Sequence, residues 1–146
     1  MKDTLATGSV ASAATTVAAA ALGQLENGAA AGPIDAVSHI LWGTEALRTD
    51  AVDVRHTLAG AGLNAAAVLG WAALHETMMP RRSRPSVQRA LLSGAATSAV
   101  AYFTDYHVVP KRLTPGFEER LSRRSLFAVY ATLALALAAG SLMRER

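Results

Sequence analysis

The polar chemistry of this chain is concentrated between Asp105 and Ser122, in the run DYHVVPKRLTPGFEERLS. The run combines carboxylates, a histidine, two aromatic rings and basic side chains, and long apolar segments precede and follow it. Ionisable side chains at the edge of a membrane are energetically expensive, so those that occur there are candidates for function. The first question is therefore which chemistry these groups could support.

Metal binding is the most specific chemistry that these residue types allow, because imidazole and carboxylate are ligands for zinc, iron and copper. His56 begins one apolar segment, and Asp105 and His107 end the next, so these three residues are expected at similar depth. They are the predicted ligands if a metal binds. The wider candidate cluster at this face consists of His39, His56, Asp105, His107 and Glu118.

The spacing of two of these residues argues against a metal site. Asp105 and His107 are two positions apart, so on an intact helix they point to opposite sides. The chain also contains no HExxH motif. We therefore expect no cofactor, with zinc, iron or copper as the alternative. The simpler interpretation is that Asp105 pairs with Arg55 or Lys111 and fixes how two helices meet.

A second candidate pair, His75 and Glu76, is expected at the opposite membrane face. Glu76 lies about one helical turn before Arg81 and Arg82, which favours a structural ion pair over a proton relay. No paired nucleophile and base and no phosphate-binding loop is present, so the sequence does not favour an enzyme. The basic residues also lack the aromatic interleaving of nucleic-acid modules, and the chain has no cysteine.

The elements that must position these residues are long apolar helices. Hydrophobic residues make up 51% of the chain and charged residues 17%, and the charges are confined between apolar windows. About 20 apolar residues cross the hydrocarbon core of a bilayer. We expect an all-α integral membrane bundle, residues 1–146 forming a single transmembrane domain. Its four transmembrane helices are predicted at about 4–25, 56–79, 86–109 and 125–143.

The first window has an alternative interpretation as a signal peptide, with Lys2 as its positive start and small residues at 29–31 resembling a cleavage site. Small residues spaced by four predict close packing against neighbouring helices. In the first two windows these stripes are Gly8, Ser12, Thr16 and Ala20, and Gly62, Ala66 and Gly70.

Two short segments are predicted to lie in the membrane interface. One begins at Pro33 and ends at Gly43, with Trp42 at headgroup level. The other begins at Thr114 and Pro115, with Phe117 and Leu121 on one face of a short amphipathic helix. Basic side chains around it could bind anionic lipid headgroups. These are Lys111, Arg112, Arg120, Arg123 and Arg124.

Three blocks of the sequence, GPIDAVSHILWG, RHTLAGAGLNAAA and DYHVVPKRLTPGFEERLS, resemble a family of small uncharacterised bacterial inner-membrane proteins. The resemblance spans about residues 33–122. It implies a multi-pass protein of the inner membrane and supplies no reaction. Lysine and arginine are equally numerous on the two sides, so the positive-inside rule does not orient the chain. Of the 11 acidic residues, three are on the side of the termini and eight on the opposite side, which slightly favours termini in the cytoplasm.

The sequence thus favours a membrane-embedded structural, accessory or interaction protein. Its expected partners are the lipid bilayer and either a second copy of the chain or another membrane protein. The alternative is a small membrane protein that binds a metal, or moves an ion or proton, through the His and Asp cluster.

Overall fold

A computed structural model of the chain describes residues 1–80 and 83–143, and every regular element in those ranges is helical. The expected all-α fold is therefore confirmed. The α-helices, in chain order, are α1 (Lys2–Asn27), α2 (Gly32–Val37), α3 (His39–Trp42), α4 (Ala59–Thr77), α5 (Val87–Phe103) and α6 (Arg123–Leu142). The shorter helical turns are Gly43–Arg48, Val54–Leu58, Thr104–Val108, Lys111–Leu113 and Phe117–Glu119.

Three helical segments are long and apolar enough to cross a membrane, namely Lys2–Asn27, Val54–Thr77 and Arg123–Leu142. They coincide with the first, second and fourth predicted windows. The third window corresponds to α5, which has 17 residues and is continued by a five-residue π-helical turn, Thr104–Val108.

The long helices form a bundle in which α1 lies against α4 and α6, and α5 lies mainly against α6. Many of the buried side chains are small, so the helix axes approach closely. A Cβ atom on Gly140, for example, would lie 2.8 Å from Cα of Thr7. Larger apolar residues, such as Val68 and Leu137, fill the centre of the bundle. Close approach through small residues is typical of helix packing in membranes.

The small-residue stripe predicted on α4 faces the wrong way. Apart from the backbone of α4 itself, no described atom lies within 4 Å of the position a Cβ would take on Gly62 or Gly70, whereas Gly60 is buried against the backbone of α2. The buried face of α4 instead carries Gly60, Asn64, Val68, Ala72 and His75. Because α4 is apolar on all sides, hydrophobic periodicity does not distinguish its packed face from its exposed one.

The stripe on α1 fits better, since Gly8 and Ser12 are buried while Thr16 and Ala20 are half-buried. A Cβ on Gly8 would lie 2.5 Å from a methyl carbon of Leu69 on α4. Close packing of this part of α1 is therefore confirmed.

The segment after Pro33 is not an interfacial helix lying on the membrane. All six residues of α2 are buried inside the protein. The reason is Gly60, whose missing side chain lets α4 approach the α2 backbone at Ile34. The predicted end at Gly43 is confirmed, because Gly43 has a φ of 79° that ends α3, and Trp42 remains partly exposed.

The segment after Thr114 does not form the predicted amphipathic helix. It contains only a 3-10 turn, Phe117–Glu119, preceded by Gly116 with a φ of 81°. This left-handed conformation interrupts a helix and brings Gly116 against the backbone of Ala36. The turn directs Phe117 and Leu121 into the protein core, where both are buried, instead of towards lipid.

Candidate functional site

The candidate residues at the loop end of the bundle lie on two π-helical turns. Val54–Leu58 precedes α4 and carries His56, and Thr104–Val108 follows α5 and carries Asp105 and His107. Single π-helical turns are rare and often occur at functional sites. His56, Asp105 and His107 therefore all lie on a backbone geometry that is rare in proteins.

Asp105 is bound by a residue that sequence reasoning missed. The hydroxyl of Tyr130, on α6, donates a hydrogen bond of 2.6 Å to Oδ2 of Asp105. Among the described residues no ion pair joins Asp105 to Arg55 or Lys111, so the predicted pairing is wrong. A tyrosine in the middle of an apolar helix was the available signal, because a buried phenol hydroxyl usually needs a partner.

Three tyrosines surround this contact. The ring centroids of Tyr102 and Tyr130 are 5.3 Å apart, and those of Tyr106 and Tyr130 are 6.0 Å apart, both in edge-on arrangements. His107 lies at the outer edge of this group, with its ring centroid 6.0 Å from that of Tyr102. Its exposed imidazole stacks on Phe103 with a centroid distance of 5.1 Å. Asp105 and His107 therefore diverge, as their spacing predicts.

His56 belongs to a separate contact group. Its Nδ1 lies 2.8 Å from Oδ2 of Asp53, and its backbone N–H donates to the other carboxylate oxygen at 2.5 Å. The backbone N–H and then the ring of His56 hold the pKa of Asp53 below its usual range. Nε2 of His56 lies 3.9 Å from a carboxylate oxygen of Glu45. Asp53 thus caps the π-helical turn and orients the imidazole.

His39 and Glu118 line one cleft of about 480 Å³, together with Tyr106 and Lys111. The ring nitrogens of His39 face two backbone carbonyl oxygens, that of Ala36 at 2.8 Å and that of Lys111 at 3.4 Å. Glu118 accepts a hydrogen bond of 2.7 Å from the hydroxyl of Thr114. Of the five candidate residues, the structure brings these two to a common cleft.

The predicted metal ligands have separate neighbours, since His56 contacts Asp53, Asp105 contacts Tyr130 and His107 stacks on Phe103. Within residues 1–80 and 83–143, no group of three or more His, Asp or Glu side chains is arranged to hold a metal ion. Binding of zinc, iron or copper by the three residues stays a prediction.

An internal cavity of about 80 Å³ lies beside Asp105, between α1, α4 and α6. Its polar lining consists of Asp105, Tyr130, Asn64 and Thr15, and Trp71 covers part of the remaining wall. The amide of Asn64 donates to Oγ1 of Thr16 at 3.2 Å and is 3.4 Å from Oγ1 of Thr15. The rest of the lining is apolar, so the cavity is a mainly hydrophobic space with a few polar groups on its wall.

The second candidate pair lies at the other end of α4, as predicted. Glu76 accepts a hydrogen bond of 2.7 Å from the hydroxyl of Thr7 on α1. His75 is fully buried, and its Nδ1 lies 3.1 Å from the hydroxyl of Ser93 on α5. The expected partners of Glu76, Arg81 and Arg82, lie outside the described residues. Both side chains thus connect α4 to a neighbouring helix.

Asp35 is a further candidate that sequence reasoning missed, because its segment was expected at the surface. It is completely buried on α2. Its Oδ1 accepts a hydrogen bond of 2.6 Å from Thr57, whereas Oδ2 has no hydrogen-bond partner within residues 1–80 and 83–143. Burial raises the pKa of Asp35, and the nearby carboxylate of Asp53 raises it further. A buried carboxyl with one unsatisfied oxygen favours its protonated form.

Asp35 should make stability fall as the pH rises above its ordinary pKa of 3.8. The folded state then holds a proton that the unfolded state has released, so unfolding becomes easier until the raised pKa is passed. Asp35→Asn should remove this decrease, as measured by melting temperature in detergent between about pH 4 and 8. Asp53→Asn is the control with the opposite sign, because its lowered pKa contributes stability that is lost as pH falls. An unchanged profile in Asp35→Asn would contradict the assignment.

The predicted headgroup-binding side chains are not equivalent. Lys111, Arg112, Arg123 and Arg124 are exposed. The side chain of Arg120 is only 14% exposed, and its guanidinium pairs with Asp50 and donates to the carbonyl of Leu47. Arg120 therefore holds the loop after α3 in place, whereas the other four basic residues are exposed.

Comparisons of the chain with protein-family models, with curated proteins and with solved structures found no match. The resemblance to small bacterial inner-membrane proteins therefore stays a prediction carried by the three sequence blocks. Functional inference depends on the geometry of this chain.

Proposed function

We propose that this chain is an integral membrane protein with four transmembrane helices, the third being α5 together with its π-helical turn. Those two elements contain 17 and 5 residues. At a rise of 1.5 Å per residue they span about 33 Å, which matches a hydrocarbon core of about 30 Å.

The observation that carries this proposal is the outward apolar surface of all the long helices. Large hydrophobic side chains point away from the protein on each of them. Examples are Val17, Leu58, Leu92, Phe103 and Phe127, which are between 58% and 76% exposed. In water, a continuous apolar surface on every helix would promote aggregation. In a bilayer it is the surface expected to face lipid tails.

We further propose that the protein is a multi-pass component of the bacterial inner membrane with a non-catalytic structural, accessory or interaction role. The support is that its polar groups bind one another. Asp105 binds Tyr130, His56 binds Asp53, and Glu26 at the end of α1 accepts hydrogen bonds from Ser122 and Ser125, each at 2.6 Å. Polar groups engaged in this way fix how helices meet. Partners would be the bilayer and a second copy or another membrane protein.

An ion- or metal-binding role is the second candidate, and the cavity beside Asp105 and Asn64 favours it. Elemental analysis of the detergent-purified protein distinguishes the two. Stoichiometric zinc, iron or copper that disappears in an Asp105→Asn, His107→Ala double variant would support this candidate, and metal-free protein would oppose metal binding.

The proposed topology predicts which loops share a side of the membrane. The chain has no cysteine, so single substitutions can be labelled without background. In sealed vesicles, a membrane-impermeant maleimide should reach Lys2→Cys and Ser83→Cys from one side, and Thr44→Cys and Lys111→Cys from the other. A membrane-permeant maleimide that labels all four variants is the control. If Ser83→Cys and Lys111→Cys react from the same side, α5 does not cross and the four-helix topology is wrong.

A further inference from the structure

A long apolar groove lies between α5 and α6 on the outer surface of the bundle. It encloses about 670 Å³, within the range of ligand-binding clefts. Its floor is made of small residues, including Ala95, Ala99, Ala131 and Ala134. Its walls are the larger side chains of Tyr102, Phe127 and Leu135.

The floor of the groove offers no free hydrogen-bonding group at its centre. The hydroxyl of Ser98 donates to the backbone carbonyl of Tyr130 at 2.6 Å. The hydroxyl of Tyr130 in turn binds Asp105 on the inner side. The body of any occupant must therefore be apolar.

One end of the groove carries a positive charge. Arg123, in the first turn of α6, lines the groove and is exposed. Among the described residues it forms no ion pair. The helix dipole disfavours a cation at the N-terminal end of a helix, where Arg123 lies. The dipole therefore does not explain why a basic residue occupies this position. An anionic group bound at the mouth of the groove would supply one.

We propose that the groove binds a single anionic phospholipid, with its phosphate at Arg123 and an acyl chain along the alanine floor. This inference rests on the proposed membrane topology, because the groove faces lipid only if α5 and α6 span the bilayer. From Arg123 to Leu135 the groove follows 12 residues of α6, or about 18 Å. That length matches half of a hydrocarbon core of about 30 Å, the thickness of one leaflet.

The single charge at the mouth favours a lipid over a second copy of the chain. A second copy of the chain would have to place a helix on the apolar floor and a carboxylate from a separate loop at Arg123, whereas a phospholipid carries its acyl chains and its anion in one molecule. The acyl chain of a phospholipid would cover the apolar floor, and its phosphate would pair with the guanidinium of Arg123. Arg123 thus becomes a specific lipid contact, distinct from the general attraction of the basic residues to an anionic surface.

Native mass spectrometry of protein purified in detergent micelles that contain equal amounts of phosphatidylcholine and phosphatidylglycerol tests the proposal. The wild-type protein should retain one phosphatidylglycerol in preference to phosphatidylcholine. Arg123→Gln should reduce its retention at least about tenfold, the factor expected when one hydrogen bond to a charged group is lost. Arg124→Gln is the matched control, because Arg124 is equally exposed and does not line the groove. It should leave retention unchanged.

Ala131→Trp provides a second, independent test, because it fills the floor without altering charge. It should remove the retained lipid, whereas Ala66→Trp, at an exposed position on α4, should not. Equal losses in Arg123→Gln and Arg124→Gln, or no loss in either, would overturn the proposal. So would a dimer that Ala131→Trp dissociates. If labelling shows four spans while these variants retain lipid normally, only the groove assignment fails.

Discussion

Replacing Gly60 by alanine is expected to destabilise the protein by about 3 kcal/mol, the upper end of the usual cost of overpacking. The new Cβ would overlap the carbonyl oxygen of Ile34 and lie 2.9 Å from its carbonyl carbon. Both atoms belong to the backbone of α2, which is buried on all sides and cannot move aside cheaply. The alanine would therefore separate α2 from α4.

Gly62→Ala is the matched control on the same helix. Among the described atoms outside the backbone of α4, none lies within 4 Å of its Cβ position. Alanine also has a higher helix propensity than glycine. It should leave stability unchanged or increase it slightly. Unfolding by sodium dodecyl sulfate in mixed micelles measures both free energies. Equal effects of the two variants would show that α2 does not pack against Gly60.

The second large effect is expected at the contact between Asp105 and Tyr130. Tyr130→Phe removes the donor and leaves a partly buried carboxylate oxygen without its hydrogen bond, whereas Asp105→Ala removes the acceptor of the buried Tyr130 hydroxyl. Each variant should lower the free energy of unfolding by about 1.5 kcal/mol, near the largest values for single hydrogen bonds inside membrane proteins. The acceptor is a carboxyl group, and hydrogen bonds to a charged acceptor are stronger than those between neutral groups. We therefore expect a loss of free energy at the upper end of the range for single hydrogen bonds.

A double-mutant cycle isolates this interaction. The double variant should lose little more than either single variant, because the same bond is removed in all three. Tyr102→Phe is the control, since Tyr102 is in the same aromatic group and more exposed. Fully additive losses for Asp105 and Tyr130 would mean that the two side chains do not interact.

This contact also connects the interior of the bundle to its outer surface. Asp105 lines the internal cavity, and Tyr130 lines both that cavity and the outer groove. The hydrogen bond to Asp105 therefore positions a side chain that contributes to both spaces. Tyr130→Phe removes this hydrogen bond and leaves Arg123 in place. Lipid retention in this variant therefore measures how much the shape of the groove contributes, apart from its positive charge.

Several features of the fold could be predicted from the sequence. The predicted windows 4–25, 56–79 and 125–143 agree closely with Lys2–Asn27, Val54–Thr77 and Arg123–Leu142. Length and hydropathy are local properties of a chain, and a bilayer selects segments by those properties alone. Prolines and glycines, such as Pro33 and Gly43, also mark element ends locally.

The candidate site was predicted less well, because its partners come from distant parts of the chain. Tyr130 and Asp105 are separated by 25 positions, and Thr57 and Asp35 by 22. The spacing of the two residues in the sequence does not reveal the contact in either pair. Asp35 looked like a surface acid because nothing local shows that α4 packs over it.

The sequence by itself thus determined that the chain is helical and where its apolar segments begin and end. Only the tertiary structure decided which face of each helix is buried, that α2 lies inside the protein, and which residue binds Asp105. The physical reason is that, in a helix that is apolar on all sides, hydrophobicity does not select which face is buried. Its orientation is set by backbone approach at a few positions such as Gly60 and Gly116, where one missing side chain admits a neighbouring segment.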